Sequence, residues 1–315
     1  MSQDKGKVAI IGSGLIGSCW ATLFVSAGYS VCLYDISESQ LDSAKKTILH
    51  NLHKLKSEGL SRGTTTVEEA SGRISTTLKL SEALDGAFYA QESTCETVEF
   101  KKKVFTEMDK YASSDIILAS STSTIPASKF TQDLKHRSQC IVAHPVNPPL
   151  YLTLVEMVPA PWTHHRVVEK ACDVMKSIGQ EPVHIHHEVL GFAVNRLQYA
   201  LLAEAWRLVA DDVLSPEDVD KVMSAGLGPR YAIHGPLQTV HLNANGVRDY
   251  FTRYGDGIRR VLADQGPMPT FEEAPVLEKL ERFLNGSMPL DQLAEMKAER
   301  ERNLARLASL KKKMD

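Results

Sequence analysis

The chain has 315 residues, 43% hydrophobic and 24% charged, the make-up of a globular protein with room for two domains. Its net charge of −3 excludes a general nucleic-acid binder, which needs a basic surface. No apolar run is long enough to span a bilayer, and MSQDKGK carries no apolar core of a secretory signal, so no membrane partner is expected.

Residues 8–35 read VAIIGSGLIGSCWATLFVSAGYSVCLYD. The pattern predicts a buried strand over 8–11, a glycine turn, an apolar helix to Gly28, and a second strand over 29–34 that ends at Asp35. Gly12, Gly14 and Gly17 complete G-x-G-x-x-G inside a full βαβ context. Such glycines permit a tight turn, close approach of a pyrophosphate, and close packing of helix on strand. The helix start presents free N–H groups to phosphates. Gly12, Gly14, Leu15, Ile16 and Gly17 are therefore cofactor-binding candidates. Asp35 stands where a carboxylate accepts from ribose hydroxyls and repels a 2′-phosphate, which favours NAD over NADP. The competing reading is a glycine turn that binds nothing.

A charged helix is expected over 39–60, with Leu41, Ile48, Leu52 and Leu55 at helical spacing. The break SRGTTT and a second helical start at Val67 make this an inserted helical hairpin. Strands follow at 86–91, 115–120, 139–143, 154–158 and 182–185, with a helix over 99–111. Alternation of this kind implies a mostly parallel sheet, a Rossmann-type α/β domain over 1–188. From 189 to 315 only helices are expected, at 194–212, from Ser215 onward, at 247–265, 276–284 and 290–313. The second domain is thus all α. The basic end Lys311-Lys312-Lys313 reads as a solvated helix terminus. Cys19, Cys32, Cys95, Cys140 and Cys172 are scattered without metal-type spacing, which points to a reducing compartment, most simply the cytoplasm.

Oxidation of an alcohol requires a base for the hydroxyl proton, and histidine suits that near neutral pH. His144 ends a strand in AHPVNPP, on the edge where open α/β sheets gather ligands. Glu156 follows within LVEMV, where a buried carboxylate has a purpose if it orients an imidazole. Ser123, in SSTSTIP, offers a hydroxyl to a reacting oxygen. Asn195 opens the first helix of the second domain. Each of these also has a plain structural reading. In HIHH, strand alternation puts His184 and His186 on one face, but no carboxylate or cysteine partner is evident and no metal is expected.

SSTSTI, AHPVNPP with LVEMV, and GFAVNR resemble the signature segments of the 3-hydroxyacyl-CoA dehydrogenase family, in the same order and over essentially the whole chain. The resemblance implies His144 as general acid/base, Glu156 as its orienting partner, and Ser123 and Asn195 as ligands of the substrate oxygen. It also implies that Glu96, Lys101 and Asn147 lie against NAD. IVAHPVNPP, NRLQYALLAEAWRLV and GLGPRYAIHGPLQTVHLNA resemble the family's L-gulonate-oxidising members more than its acyl-CoA enzymes. That implies NAD-dependent oxidation of L-gulonate to 3-dehydro-L-gulonate by a homodimer built through the α domain. The alternatives are an L-3-hydroxyacyl-CoA dehydrogenase and a structural, crystallin-type role with little turnover. Arg230 departs from the acyl-CoA pattern. A guanidinium can hold a carboxylate by two parallel hydrogen bonds, so Arg230 is the substrate-binding candidate. Tyr231, His234, Asn243 and Asn245 are weaker candidates for polyol hydroxyls.

Overall fold

A computed structural model describes residues 5–314 and divides the chain into two units. The first holds the chain up to Arg196 together with the residues from Ala298 onward; the second is Leu197–Lys297.

The first unit begins with β1 (Lys7–Ile11), α1 (Leu15–Ser26) and β2 (Ser30–Tyr34). Alternate residues of β1 serve opposite cores: Val8 and Ile10 on one face, Ala9 and Ile11 on the other. A strand covered on both faces needs this continuous apolar run. α1 is buried from Gly17 through Ser26, lying between the sheet and α2 (Glu38–Ser57). α2 buries Leu41, Ala44, Ile48, Leu52 and Leu55 as one stripe. The return arm of the hairpin is short, the single helix α3 (Val67–Ser71), begun by a capping box of Thr66 and Glu69. It leads into β3 (Ile74–Thr77), α4 (Leu80–Leu84), β4 (Ala87–Glu92), α5 (Val98–Tyr111), β5 (Ile117–Ser120), α6 (Ser128–Thr131) and β6 (Cys140–Pro145). β7 (Leu154–Pro159), α7 (His165–Ser177), β8 (Glu181–His184) and the start of α8 (Val194–Ala210) follow. β3, α4, α6 and α7 are additions to the elements expected from sequence. Cys19 and Cys140 are core residues, and burial pushes both thiols up, Cys19 to about 12.

The eight strands form one sheet in the order β3-β2-β1-β4-β5-β6-β7-β8. Every neighbouring pair is parallel except β6 with β7. β1 lies between β2 and β4, so the winding reverses there and opens a crevice at the carboxyl ends of the strands.

The second unit has helices and connecting loops and no strand among its described residues. It contains the rest of α8, then α9 (Pro216–Lys221), α10 (Gly228–Ile233), α11 (Pro236–Leu242), α12 (Val247–Asp264) and α13 (Ala274–Ser287). Ser215 caps α9 by accepting from the Asp218 N–H, with proline in the first turn. Trp206, Val209 and Val276 make a small core.

Residues 189–196 group with the sheet unit, where Glu156 holds the start of α8. The last helix, α14 (Leu293–Lys311), belongs to the first unit from Ala298 on. Its Ala305 is buried in that unit's core, with Leu304 and Ala308 packed against it.

Candidate active site

The glycine turn is shaped for close approach. Gly12 sits at φ +95°, a region that L side chains rarely adopt, and a Cβ there would lie 2.7 Å from the Ser93 carbonyl oxygen. A Cβ on Gly17 would lie 1.9 Å from the Gly12 oxygen, so only glycine lets α1 pack onto the turn. Gly14, the N-cap, has open space before it, and no side chain caps the first turn of α1. The free N–H groups there can meet a pyrophosphate. Leu15 is exposed beside them, and Ile16 packs on the core. Asp35 is tied to the turn: its Oδ2 accepts from the Ser13 N–H (2.9 Å) and hydroxyl (2.8 Å). Its Oδ1 accepts only a longer bond, 3.3 Å from the Ser37 N–H. These residues fit a dinucleotide.

At the ends of β4 and β5 a buried charge cluster fixes the loop that carries Ser123. Lys101, on α5, is 1% exposed; its Nζ lies 3.1 Å from Glu92 Oε1 and 3.2 Å from Glu96 Oε2. Glu92, also buried, accepts from the Ser120 and Thr94 hydroxyls and from the Thr94 N–H. Glu96 Oε1 accepts from the Thr122 hydroxyl (2.6 Å) and the Ser123 N–H (2.7 Å). Burial works to raise the Glu96 pKa, but Thr122, the Lys101 charge and the Ser123 N–H outweigh it and hold the carboxyl below its ordinary range. Lys101 is thus spent on two carboxylates, Glu92 and Glu96.

His144 ends β6 and pairs in register with Glu156 on antiparallel β7. Its Nδ1 lies 2.8 Å from Glu156 Oε2, with both side chains buried. The other oxygen of Glu156 accepts from the Ala193 (2.7 Å) and Val194 (2.9 Å) N–H groups at the start of α8. A carboxylate there also meets the positive end of the helix dipole. Burial raises the Glu156 pKa, but the bonds from His144, Val194 and Ala193 prevail and lower it. A lowered carboxyl pKa means stabilisation that is present at neutral pH and lost as pH falls through the folded-state value. Gly191 and Phe192 both have positive φ in the turn before α8, and the buried Phe192 ring lies 5.7 Å from the His144 ring. Asn195 Nδ2 donates to the Ser123 carbonyl at 2.7 Å. Ser123 is therefore held through both its N–H and its C=O, and its exposed hydroxyl has no partner among the described residues.

Lys101, Glu96, Ser123 and Asn195 form one bonded set in the first unit, His144 and Glu156 with the start of α8 a second, and the glycine turn with Asp35 a third. Asn147 is exposed in the loop after β6 and is bonded to neither. Arg230 belongs to the second unit, on α10, beside His234 and Asn243 at a small cavity. Tyr231 is on the same helix, while Asn245 donates its N–H to Asp249. His184 and His186 have ring centroids 5.0 Å apart. Glu92, Ser13 and Thr122 were not candidates from sequence. Glu92 had a signal: a carboxylate closing the apolar strand AFYAQE needs a buried partner.

A dinucleotide cradle and an acid/base pair on one sheet edge are what hydride removal from an alcohol demands. The class is an NAD-dependent oxidoreductase acting on CH–OH groups. The chain belongs to the 3-hydroxyacyl-CoA dehydrogenase family: the family's NAD binding domain matches residues 7–189 and its C-terminal domain residues 191–282. It is similar to a lambda-crystallin homolog of Homo sapiens, 46% identical over 98% of both chains. An L-carnitine dehydrogenase of Staphylococcus epidermidis is 34% identical over 81% of this chain and 78% of its own. Among solved structures, an NAD+-dependent 5-formyl-3-hydroxy-2-methylpyridine 4-carboxylic acid 5-dehydrogenase superposes with a TM-score of 0.84. It is 27% identical and covers 96% of this chain and 97% of its own. No described helix is long and apolar enough to cross a membrane.

Asp35→Ala is expected to raise the Kd for NADH at least tenfold, since hydrogen bonds to a charged group are worth about 1.5–3 kcal/mol. It should also narrow the preference over NADPH. Fluorescence titration with both nucleotides measures this; unchanged NADH affinity would remove Asp35 from the ribose site.

Proposed function

We propose that this chain oxidises the 3-hydroxyl of a small, free hydroxy acid with NAD, and that L-gulonate, giving 3-dehydro-L-gulonate, is the substrate that fits best. Bound NAD supplies the hydride acceptor. His144 takes the hydroxyl proton at Nε2 as the C–H hydride leaves the same carbon and the carbonyl forms. Glu156, bonded to Nδ1, keeps the ring in the tautomer with Nε2 open and stabilises the imidazolium. The Ser123 hydroxyl and the second N–H of the Asn195 amide hold the reacting oxygen. Glu96 and Asn147 face the cofactor, with Lys101 behind Glu96.

The observation that carries the substrate reading is Arg230. Its guanidinium has no partner among the described residues, and it lines one cavity with His234, Thr239 and Asn243. A free carboxylate suits the first and polyol hydroxyls suit the others; a thioester has no charge for Arg230. The relative named for carnitine also points to a free 3-hydroxy carboxylate. Arg230→Met is expected to raise KM for gulonate about tenfold or more, on the scale of about 1.5–3 kcal/mol for a charged hydrogen bond, with KM for NAD within twofold. Equal effects on both constants would sink the assignment.

Initial rates of NADH formation with L-gulonate, 3-hydroxybutyrate and 3-hydroxybutyryl-CoA decide the substrate. A marked preference for the thioester makes the chain an acyl-CoA enzyme. No turnover of any of the three favours the structural, crystallin-type role.

The reading includes a homodimer formed through the helical unit. Leu197, Leu201, Leu202, Leu237, Leu242, Val261 and Leu262 are all exposed there, while that unit's own core is small. An apolar surface of this extent needs a cover, and a second copy supplies one. Light scattering after size exclusion should give twice the mass of the chain; a monomer at micromolar concentration would overturn it.

A further inference from the structure

α14 lies beyond residues 191–282, where the family's C-terminal domain ends, yet its later part docks on the first unit. Hydride transfer needs no group from it. The residues it meets, however, lead back to the loop that follows His144.

That loop leaves β6 at Pro145, passes Asn147 and turns through Pro148 to Tyr151, where the Tyr151 N–H bonds the Pro148 carbonyl at 3.1 Å. Three successive residues of the turn are gripped by side chains from elsewhere. Gln180 Nε2 donates to the Pro149 carbonyl at 3.3 Å, and Arg62 Nη2 to the Leu150 carbonyl at 3.0 Å. Tyr151 is buried, and Lys54 Nζ sits 5.2 Å from its ring centroid. Such a cation is attracted by the ring quadrupole, more strongly as water is excluded. Lys54 is held in turn by α14, through Glu301 Oε2 at 3.1 Å. The turn just past α14 also fixes the segment that supplies Arg62: Lys312 Nζ donates to the Gly59 carbonyl at 3.0 Å. Leu150 and Tyr151 belong to the same core as Leu52, Leu55, Leu60 and Ala305, so the turn, α2 and α14 pack as one body.

We propose that Glu301, Lys54 and Tyr151 form a positioning relay by which the C-terminal helix sets the turn after β6. Through that turn it fixes Asn147, and with it the nicotinamide end of NAD beside His144. The relay touches no reacting atom. It rests on the site reading above, in which that loop faces the nicotinamide. Its leverage comes from geometry: a displacement of about 1 Å at reacting groups can cost about 10²-fold in rate. Without Glu301, the Lys54 ammonium is free to turn to water, and Tyr151 loses its cation.

The test uses the full-length protein and two nucleotides. NADH spans both halves of the site, whereas ADP-ribose lacks the nicotinamide and reads only the glycine turn and Asp35. Lys54→Met is expected to weaken NADH binding five- to tenfold and to lower kcat by a similar factor, with ADP-ribose affinity within twofold of wild type. Lys54→Arg should recover most of the loss, because guanidinium also stacks on tyrosine and pairs with carboxylate. Glu301→Gln should act in the same direction, and the double variant should be no worse than Lys54→Met alone, as for members of one chain of contacts. NADH affinity and kcat unchanged in Lys54→Met, with only Tm lowered, would overturn the relay. So would equal weakening of NADH and ADP-ribose. If wild type itself fails to bind NADH, it is the cofactor site that fails instead.

Discussion

His144→Gln is expected to lower kcat by about 10²–10⁴-fold, the range that a positioned general acid or base contributes. Glutamine has no group that takes a proton near neutral pH, while its size leaves the end of β6 packed. NADH affinity should stay within a few-fold, because the glycine turn and Asp35 are bonded separately from His144. Glu156→Gln tests the other half of the pair. An amide still accepts from the Ala193 and Val194 N–H groups, so the start of α8 keeps its anchor. What is lost is the negative charge against His144 Nδ1, where an NH2 group of the new amide can instead stabilise the wrong tautomer. Exchanges of this kind in Ser-His-Asp triads cost on the order of 10⁴ in kcat. Stopped-flow or steady-state rates with gulonate read both variants. More than a tenth of wild-type kcat in His144→Gln would mean that the base lies elsewhere.

Lys101→Met should strongly destabilise the nucleotide domain. It leaves the fully buried Glu92 carboxylate with neutral donors only, and removing one partner of a buried ion pair costs about 3–5 kcal/mol. Urea unfolding measures this directly. Adding Glu92→Gln removes the stranded charge and should return most of the stability. Activity should not return with it. Glu96 would still lack Lys101, and Glu96 positions the Ser123 N–H. A stable, active Lys101→Met enzyme would show that the cluster neither holds the domain nor sets the serine loop. Stability restored without activity would separate the two functions of one ammonium group.

Much of this protein was legible in its sequence wherever the cause is local. The glycine turn follows from backbone freedom and close packing at Gly12 and Gly17, which act over a few residues. The inner strands β1, β2, β4, β5, β6 and β7 show as apolar runs because both faces are covered, whereas β8, EPVH, is an exposed edge strand. β3 reads ISTT, short and polar, and it becomes a strand only by pairing with β2 at the edge of the sheet. Motif order supplied Ser123, His144, Glu156 and Asn195, but not their bonds. Asn195 is tied to the Ser123 backbone, and the second oxygen of Glu156 closes on the start of α8; neither can be read from spacing.

By itself, the sequence determined the βαβ cradle, the change to helices in the second half, and which side chains can do chemistry. The tertiary structure alone decided that Lys101 turns inward between Glu92 and Glu96. It alone brought α14 back onto the sheet unit to meet Lys54. The physical reason is common to both. Propensity and periodicity act between near neighbours, whereas a buried charge or an apolar helix face takes its partner from whatever part of the chain the fold places beside it.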